Sequence, residues 1–286
     1  MTRFGPAGNG ALFAAEGYKK TEEIPAFLVR HGLTAFEYQC GRGVRYNAAA
    51  AAVLKADAAA AGIRVSVHAP YFISLASAEA EKRDNSLTYI RDSARAVVDM
   101  GGDRIVVHPG GLCGLPRPQA TALACDTLRR AQRVLDEEGL GQVHICPETM
   151  GKINQLGDLQ EVLDMCLCDE RFLPCVDFGH LNCRTLGGLK GREEYAAVLD
   201  RVANALGEQR ARRMHVHFSK IAYTQGGESH HLTLADTQFG PEPAPLLQLI
   251  AERDWEPVFI CESDGTQAED AATLAEIYRA CKETIR

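Results

Sequence analysis

VSVHAP (residues 65–70) and RIVVHPG (104–110) are short β-branched apolar runs that end on a histidine, with a proline one or two residues on. The pattern recurs with other metal-binding residue types at the run's end. VHICPE (143–148) ends on Glu148, LPCVDFGH (173–180) on Asp177 and His180, MHVHFS (214–219) carries His215 and His217, and VFICES (258–263) carries Glu262. Two further runs, TRFGPAG (2–8) and TAFEYQC (34–40), read as strands without such a residue, and His230 and His231 read as a loop after the seventh strand. Near-continuous apolarity is what parallel strands buried on both faces require. Between the runs lie segments with apolar residues at three- and four-residue spacing, such as 48–61, 118–138 and 266–283. Strands near 3–7, 35–40, 64–69, 104–109, 143–148, 173–178, 213–219 and 256–262 therefore predict a (β/α)8 TIM barrel, a single domain over 1–286. A doubly wound open sheet would gather ligands at one switch point. Here they end six different strands, which favours a closed barrel with its site at the strands' C-terminal ends.

Strand parity points the same way. Val65 and Val67 face opposite to Ser66 and His68, so the valines meet the helices and His68 meets the barrel axis. His144, Cys146 and Glu148 share one face, with His144 near the bottom and Glu148 at the top. His144, His31 (in LVRHGL, 28–33) and Cys146 read as structural.

Composition narrows the classes. A formal net charge of −7 and 46% hydrophobic residues describe an acidic chain with ample core, against nucleic-acid binding by bulk charge. No run approaches the roughly 20 apolar residues of a membrane span, and the start MTRFGPAGNG lacks the pattern of a signal peptide. With 10 scattered cysteines and no secretory signal, a reduced cytoplasmic chain is expected. GPAGNG (5–10) and GGDR (101–104) lack the order of a phosphate-binding fingerprint, so no nucleotide cofactor is expected.

The strand-end residues carry the chemistry. Burying this many ionisable groups at one end of a barrel is costly unless they bind cations. A mixture of His and Asp/Glu without Cys suits Zn2+, with Mn2+ or Fe2+ as alternatives, held for catalysis. Asp177 and His180 are spaced to serve neighbouring ions from one turn, and Glu148 and Glu262 can bridge two ions, the usual device for phosphoester hydrolysis.

HAPYFISLAS (68–77), VVHPGG (106–111), PETMGK (147–152), CVDFGH (175–180), HVHFSK (215–220) and ICES (260–263) resemble, in order and spacing, the signature segments of endonuclease IV. These are metal-dependent apurinic/apyrimidinic endonucleases within the xylose-isomerase-like TIM-barrel superfamily, and the resemblance covers about residues 60–265. It implies three zinc ions: His68 and His108 on the first, Glu148 bridging first and second, Asp177 and His215 on the second, Glu262 on both, and His180 and His231 on the third. It also implies cleavage of DNA 5′ to abasic sites, as in base-excision repair, with Glu148 orienting or deprotonating the attacking water. Tyr71 matches a family tyrosine near the lesion. Three positions depart from the family. Ser229 replaces an aspartate, so the third ion is expected to be held more weakly, with Glu228, His230 or His217 as replacement ligands. His217 replaces an asparagine. CGRGVRY (40–46) replaces the DNA-probing loop, leaving Arg42 and Arg45 as phosphate contacts. The competing reading is a sugar isomerase or epimerase of the same superfamily, which needs one divalent ion held by carboxylates and one histidine. A non-enzymatic binding module is disfavoured by the full ligand set.

Overall fold

In the computed structural model of the chain, which describes residues 1–285, the strands are β1 (Arg3–Pro6), β2 (Ala35–Gln39), β3 (Arg64–His68), β4 (Arg104–Val107), β5 (His144–Pro147), β6 (Cys175–Asp177), β7 (His215–Phe218), β8 (Ile221–Thr224), β9 (Gly227–His231) and β10 (Val258–Cys261). Two parallel four-stranded sheets, β2-β3-β4-β5 and β1-β10-β7-β6, are joined by bridges Ala7–Glu37 and Glu148–Cys175. The eight parallel strands thus close into the expected (β/α)8 barrel. The closure between β1 and β2 needs Gly5, where a Cβ would lie 1.7 Å from the Ala35 carbonyl oxygen.

Helices α1 (Ala11–Ala15), α2 (Ile24–Arg30), α3 (Ala48–Ala61), α4 (Ala80–Asp99), α5 (Arg117–Glu137), α6 (Leu159–Cys166), α7 (Phe178–Arg184), α8 (Arg192–Leu206), α9 (Glu208–Arg212), α10 (Ala244–Glu252) and α11 (Gln267–Ile285) surround it. Their ends follow local chemistry. Asn47 caps α3 by accepting from the Ala50 amide, and Asp158 and Glu161 form a capping box on α6. Val65 and Val67 pack into the main core under the helices, whereas Val106, Cys146, Leu173 and Cys175 form a separate small cluster. Below it Arg104, 1% exposed, stoppers the base of the barrel, its Nε donating to Asp103 and its Nη1 to the Arg213 carbonyl. No helix among the described residues is long and apolar enough to cross a membrane.

The seventh unit differs from expectation. The segment read as a loop around His230 and His231 is an antiparallel hairpin, β8–β9, turning at Gln225–Gly226. β8 is short, β9 is polar throughout and the pairing is bulged, so no apolar alternation marks the pair in the sequence. The hairpin docks on the loop after β5 through a bridge between Lys152 and Gly227. Neither side tolerates a side chain there: a Cβ on Gly151 would meet Glu228 Cβ at 2.7 Å, and one on Gly227, at φ +90°, would meet the Gly151 oxygen at 2.2 Å.

Candidate metal centre

A cavity of about 360 Å3 at the top of the barrel is lined among others by His68, His108, His180, Glu228, His231 and Glu262, while Glu148, Asp177 and His217 are fully buried. Among the described residues, three of the ligand groups around it are His68–His108–Glu148, Glu148–Asp177–His217–Glu262 and His180–Glu228–His231, with His68, His217 and Glu262 forming a further one; in each the ligand atoms lie within 4.8 Å of one another. Glu148, fully buried, belongs to the first two. Its Oε2 lies 3.3 Å from His68 Nε2 and 3.0 Å from His108 Nε2, and its Oε1 lies 3.1 Å from His217 Nδ1.

Backbone and hydroxyl partners set the imidazoles. His68 Nδ1 lies 2.9 Å from the Ala69 carbonyl and His180 Nδ1 2.8 Å from that of Thr149. A carbonyl only accepts, so each Nδ1 carries the hydrogen and each Nε2 is turned to the cavity. Ser219 Oγ engages His231 Nδ1 at 2.8 Å. Asp177 Oδ1 caps α7 by accepting from the His180 amide at 2.7 Å, which explains the three-residue spacing, while its buried Oδ2 has no hydrogen bond: His180 Nδ1 lies 3.2 Å away but gives its hydrogen to the Thr149 carbonyl.

Electrostatics follow from the same packing. Burial opposes charge on Glu148, but His217, His108 and His180 outweigh it and hold the carboxyl well below its ordinary range. Glu262, also opposed by burial, is held at about 2 by His217. Asp177 goes the other way: burial raises it to about 6, His180 opposing and the Glu262 and Glu148 charges adding to the rise. A buried carboxylate oxygen with no hydrogen bond is costly. A divalent cation among these oxygens and imidazoles would satisfy Asp177 Oδ2, and the donor set of His and carboxylate fits Zn2+ or a related ion.

Placement changes two expectations. His215, expected to hold the second ion, lies deeper, with Nε2 donating to Glu37 Oε2 at 2.9 Å; burial lowers it to about 4, keeping it neutral. His217, expected only as an additional ligand, stands beside Glu148, Asp177 and Glu262 instead. Both face inward on β7, but they are about 6.5 Å apart along the strand, and only the later one reaches the mouth. TAFEYQC does carry an ionisable group on the axis: Glu37, fully buried, which sequence reading passed over. The signal was there, a lone charge in an otherwise apolar strand. Cys175 neighbours His215 and His217, but burial raises its thiol well above the ordinary value, so it remains a protonated core residue.

Of the replacements considered for the third group, Glu228 is in place, its Oε2 3.5 Å from His180 Nε2, while His230 and Ser229 are exposed and bond to each other. His31 pairs with Glu16 and packs on Phe27, and His144 bonds the Arg171 carbonyl, both away from the cavity. Tyr71, half exposed, lines the cavity mouth with its ring 4.5 Å from Phe72. Arg42 and Arg45 are exposed on the β2 loop and do not line the cavity. Lys152 does, an unanticipated cation at the rim. Its loop is clamped from below: Arg184 donates to the carbonyls of Met150, Lys152, Ile153 and Gln155, and Arg117 to those of Ile153 and Gln155.

Comparison with known proteins agrees with the barrel fold. A family model described as Xylose isomerase-like TIM barrel matches residues 25–281. An uncharacterized protein of Methanocaldococcus jannaschii is 32% identical, the match covering 97% of each chain. A probable endonuclease 4 of Mycoplasmoides gallisepticum is 24% identical over 68% of this chain and 73% of that protein. Among solved structures, endonuclease IV from Thermus thermophilus aligns with a TM-score of 0.71 at 21% identity, over 99% of both chains. A D-tagatose 3-epimerase-like protein aligns at 0.74 and 19%, over 100% of both.

Proposed function

Since the chain belongs to the xylose isomerase-like TIM barrel family, we propose that it is a metal-dependent phosphodiesterase of the endonuclease IV kind, cleaving DNA 5′ to abasic sites. The observation that carries this reading is the presence of three ligand groups, two of them sharing Glu148. A one-metal enzyme would leave His68 and His108, and His180 with Glu228 and His231, without an ion to hold. Divalent ions held there, Zn2+ first and Mn2+ or Fe2+ as alternatives, would neutralise charge on the phosphate and on the leaving 3′ oxygen.

The chain's own groups supply the rest. Glu148 is held ionised by its histidine neighbours, which suits it to accept a hydrogen bond from the attacking water and aim it, rather than to act as a strong base. Lys152 and the exposed Arg42 and Arg45 offer cations to flanking phosphates, and Tyr71 with Phe72 offers aromatic surface at the mouth. The overall negative charge does not oppose this, since recognition needs only a local cationic surface.

The test is elemental analysis of the purified chain together with incubation on a duplex bearing one abasic site. Two to three ions per chain and incision 5′ to the lesion are expected, with Glu148→Gln losing at least about 100-fold in rate. A single ion without incision points to the second reading, a sugar isomerase or epimerase. One observation favours that reading: Glu148, Asp177, His217 and Glu262 alone make a four-ligand seat of two glutamates, one aspartate and one histidine. Conversion of a ketose substrate would then establish it.

A further inference from the structure

Glu37 is the one charged residue of β2, and it lies on the barrel axis with no exposed surface. Its Oε2 accepts from Ser66 Oγ at 2.9 Å and from His215 Nε2 at 2.9 Å. Its Oε1 accepts from Gln39 at 3.2 Å and lies 3.0 Å from His217 Nε2, close enough to pair but off the line of a hydrogen bond. The opposite ring nitrogen, His217 Nδ1, lies 3.1 Å from Glu148 Oε1 and 3.5 Å from Glu262 Oε2. His217 therefore stands between two carboxylate environments that differ in kind. Glu148 and Glu262 belong to ligand groups at the cavity. Glu37 has only imidazoles, a hydroxyl and an amide around it, all of them donors, so it is not placed to share a cation.

We propose that Glu37 is a positioning residue: it takes the Nε2–H side of His217 and so turns Nδ1 toward the seat formed with Glu148, Asp177 and Glu262. A carboxylate behind a ligating histidine fixes its tautomer and ring orientation. Three hydrogen bonds and the nearby His217 Nε2 converge on Glu37, and a glutamine there has one oxygen to receive them. Its amide NH2 would meet a histidine N–H, and the ring would have to turn. The inference rests on the metal-binding reading of the site, and holds for a nuclease or an isomerase alike.

Two measurements test it. Titration of the chelator-stripped chain with Co2+, followed by absorption, should show one binding step weakened about 10–100-fold in Glu37→Gln. The histidine 15N spectrum of the Zn2+-loaded wild type should show His217 with its proton on Nε2 and the ion on Nδ1. Unchanged Co2+ affinity at every step, or ligation through Nε2, overturns the proposal. If Glu37→Gln does not fold, the wild-type spectrum alone decides. Neither readout involves a nucleic acid, so failure of the nuclease reading leaves both intact, whereas a chain that binds no divalent ion overturns both.

Discussion

His144 and Glu148 bracket the same short strand, yet their surroundings give them opposite behaviour. Burial pushes the His144 imidazolium down, the Arg171 carbonyl opposes this, and Arg104 and Arg213 add to the depression. The folded chain thus binds fewer protons here than the unfolded chain, whose histidines titrate at about 6.5. Its contribution to stability is complete above that pH and is lost as pH falls through the window below it. In chelator-treated protein, Tm should drop more steeply from pH 7 to pH 5 in the wild type than in His144→Gln. Parallel curves would show that His144 does not contribute. The ligand residues at strand ends were legible because a β strand's C-terminal end in a barrel is where polar groups converge. His215 and His217 could not be ranked, since they share a face and only the depth of β7 tells which one reaches the mouth. Glu37 was missed because one charge inside an apolar strand looks like a solvent-facing residue until the barrel closes around it.

At the scale of elements, the hairpin β8–β9 completes the third ligand group. It was not legible because β8 is short and β9 polar, so the pair carries no two-residue apolar alternation, and only the Gly226–Gly227 dipeptide hinted at a nearby turn. The glycine contact with the β5 loop sets how deeply Glu228 enters. In Gly151→Ala the new methyl would fall 2.7 Å from Glu228 Cβ and 2.9 Å from His180 Cδ2. Overpacking of this kind costs about 1–3 kcal/mol. Metal analysis of the variant should find one ion fewer than in wild type, with the remainder retained. A full complement would show that the hairpin yields without releasing Glu228.

For the whole molecule, the eightfold alternation of strand and helix was legible because each unit repeats one period change. What the sequence alone does not display is how much charge the closed barrel concentrates. Glu148, Asp177, Glu228 and Glu262 converge at one mouth, and their mutual repulsion falls on the folded state alone. Divalent ions that bind only the folded chain stabilise it by mass action, by about 2.7 kcal/mol at a hundredfold excess over Kd, so chelation should lower Tm by about 5 °C or more. Calorimetry with and without EDTA, followed by Zn2+ restoration, checks this; an unmoved Tm would mean that the folded chain gains nothing from the ions. At the same mouth, the clamp made by Arg184 and Arg117 grips main-chain carbonyls of the β5 loop, and every amino acid presents the same carbonyl. Substitutions at Lys152, Ile153 or Gln155 can therefore accumulate while the loop keeps its shape. A lineage can rewrite the lip that meets the substrate without rebuilding the scaffold beneath it, so homologues can diverge in what they recognise sooner than in how they are built.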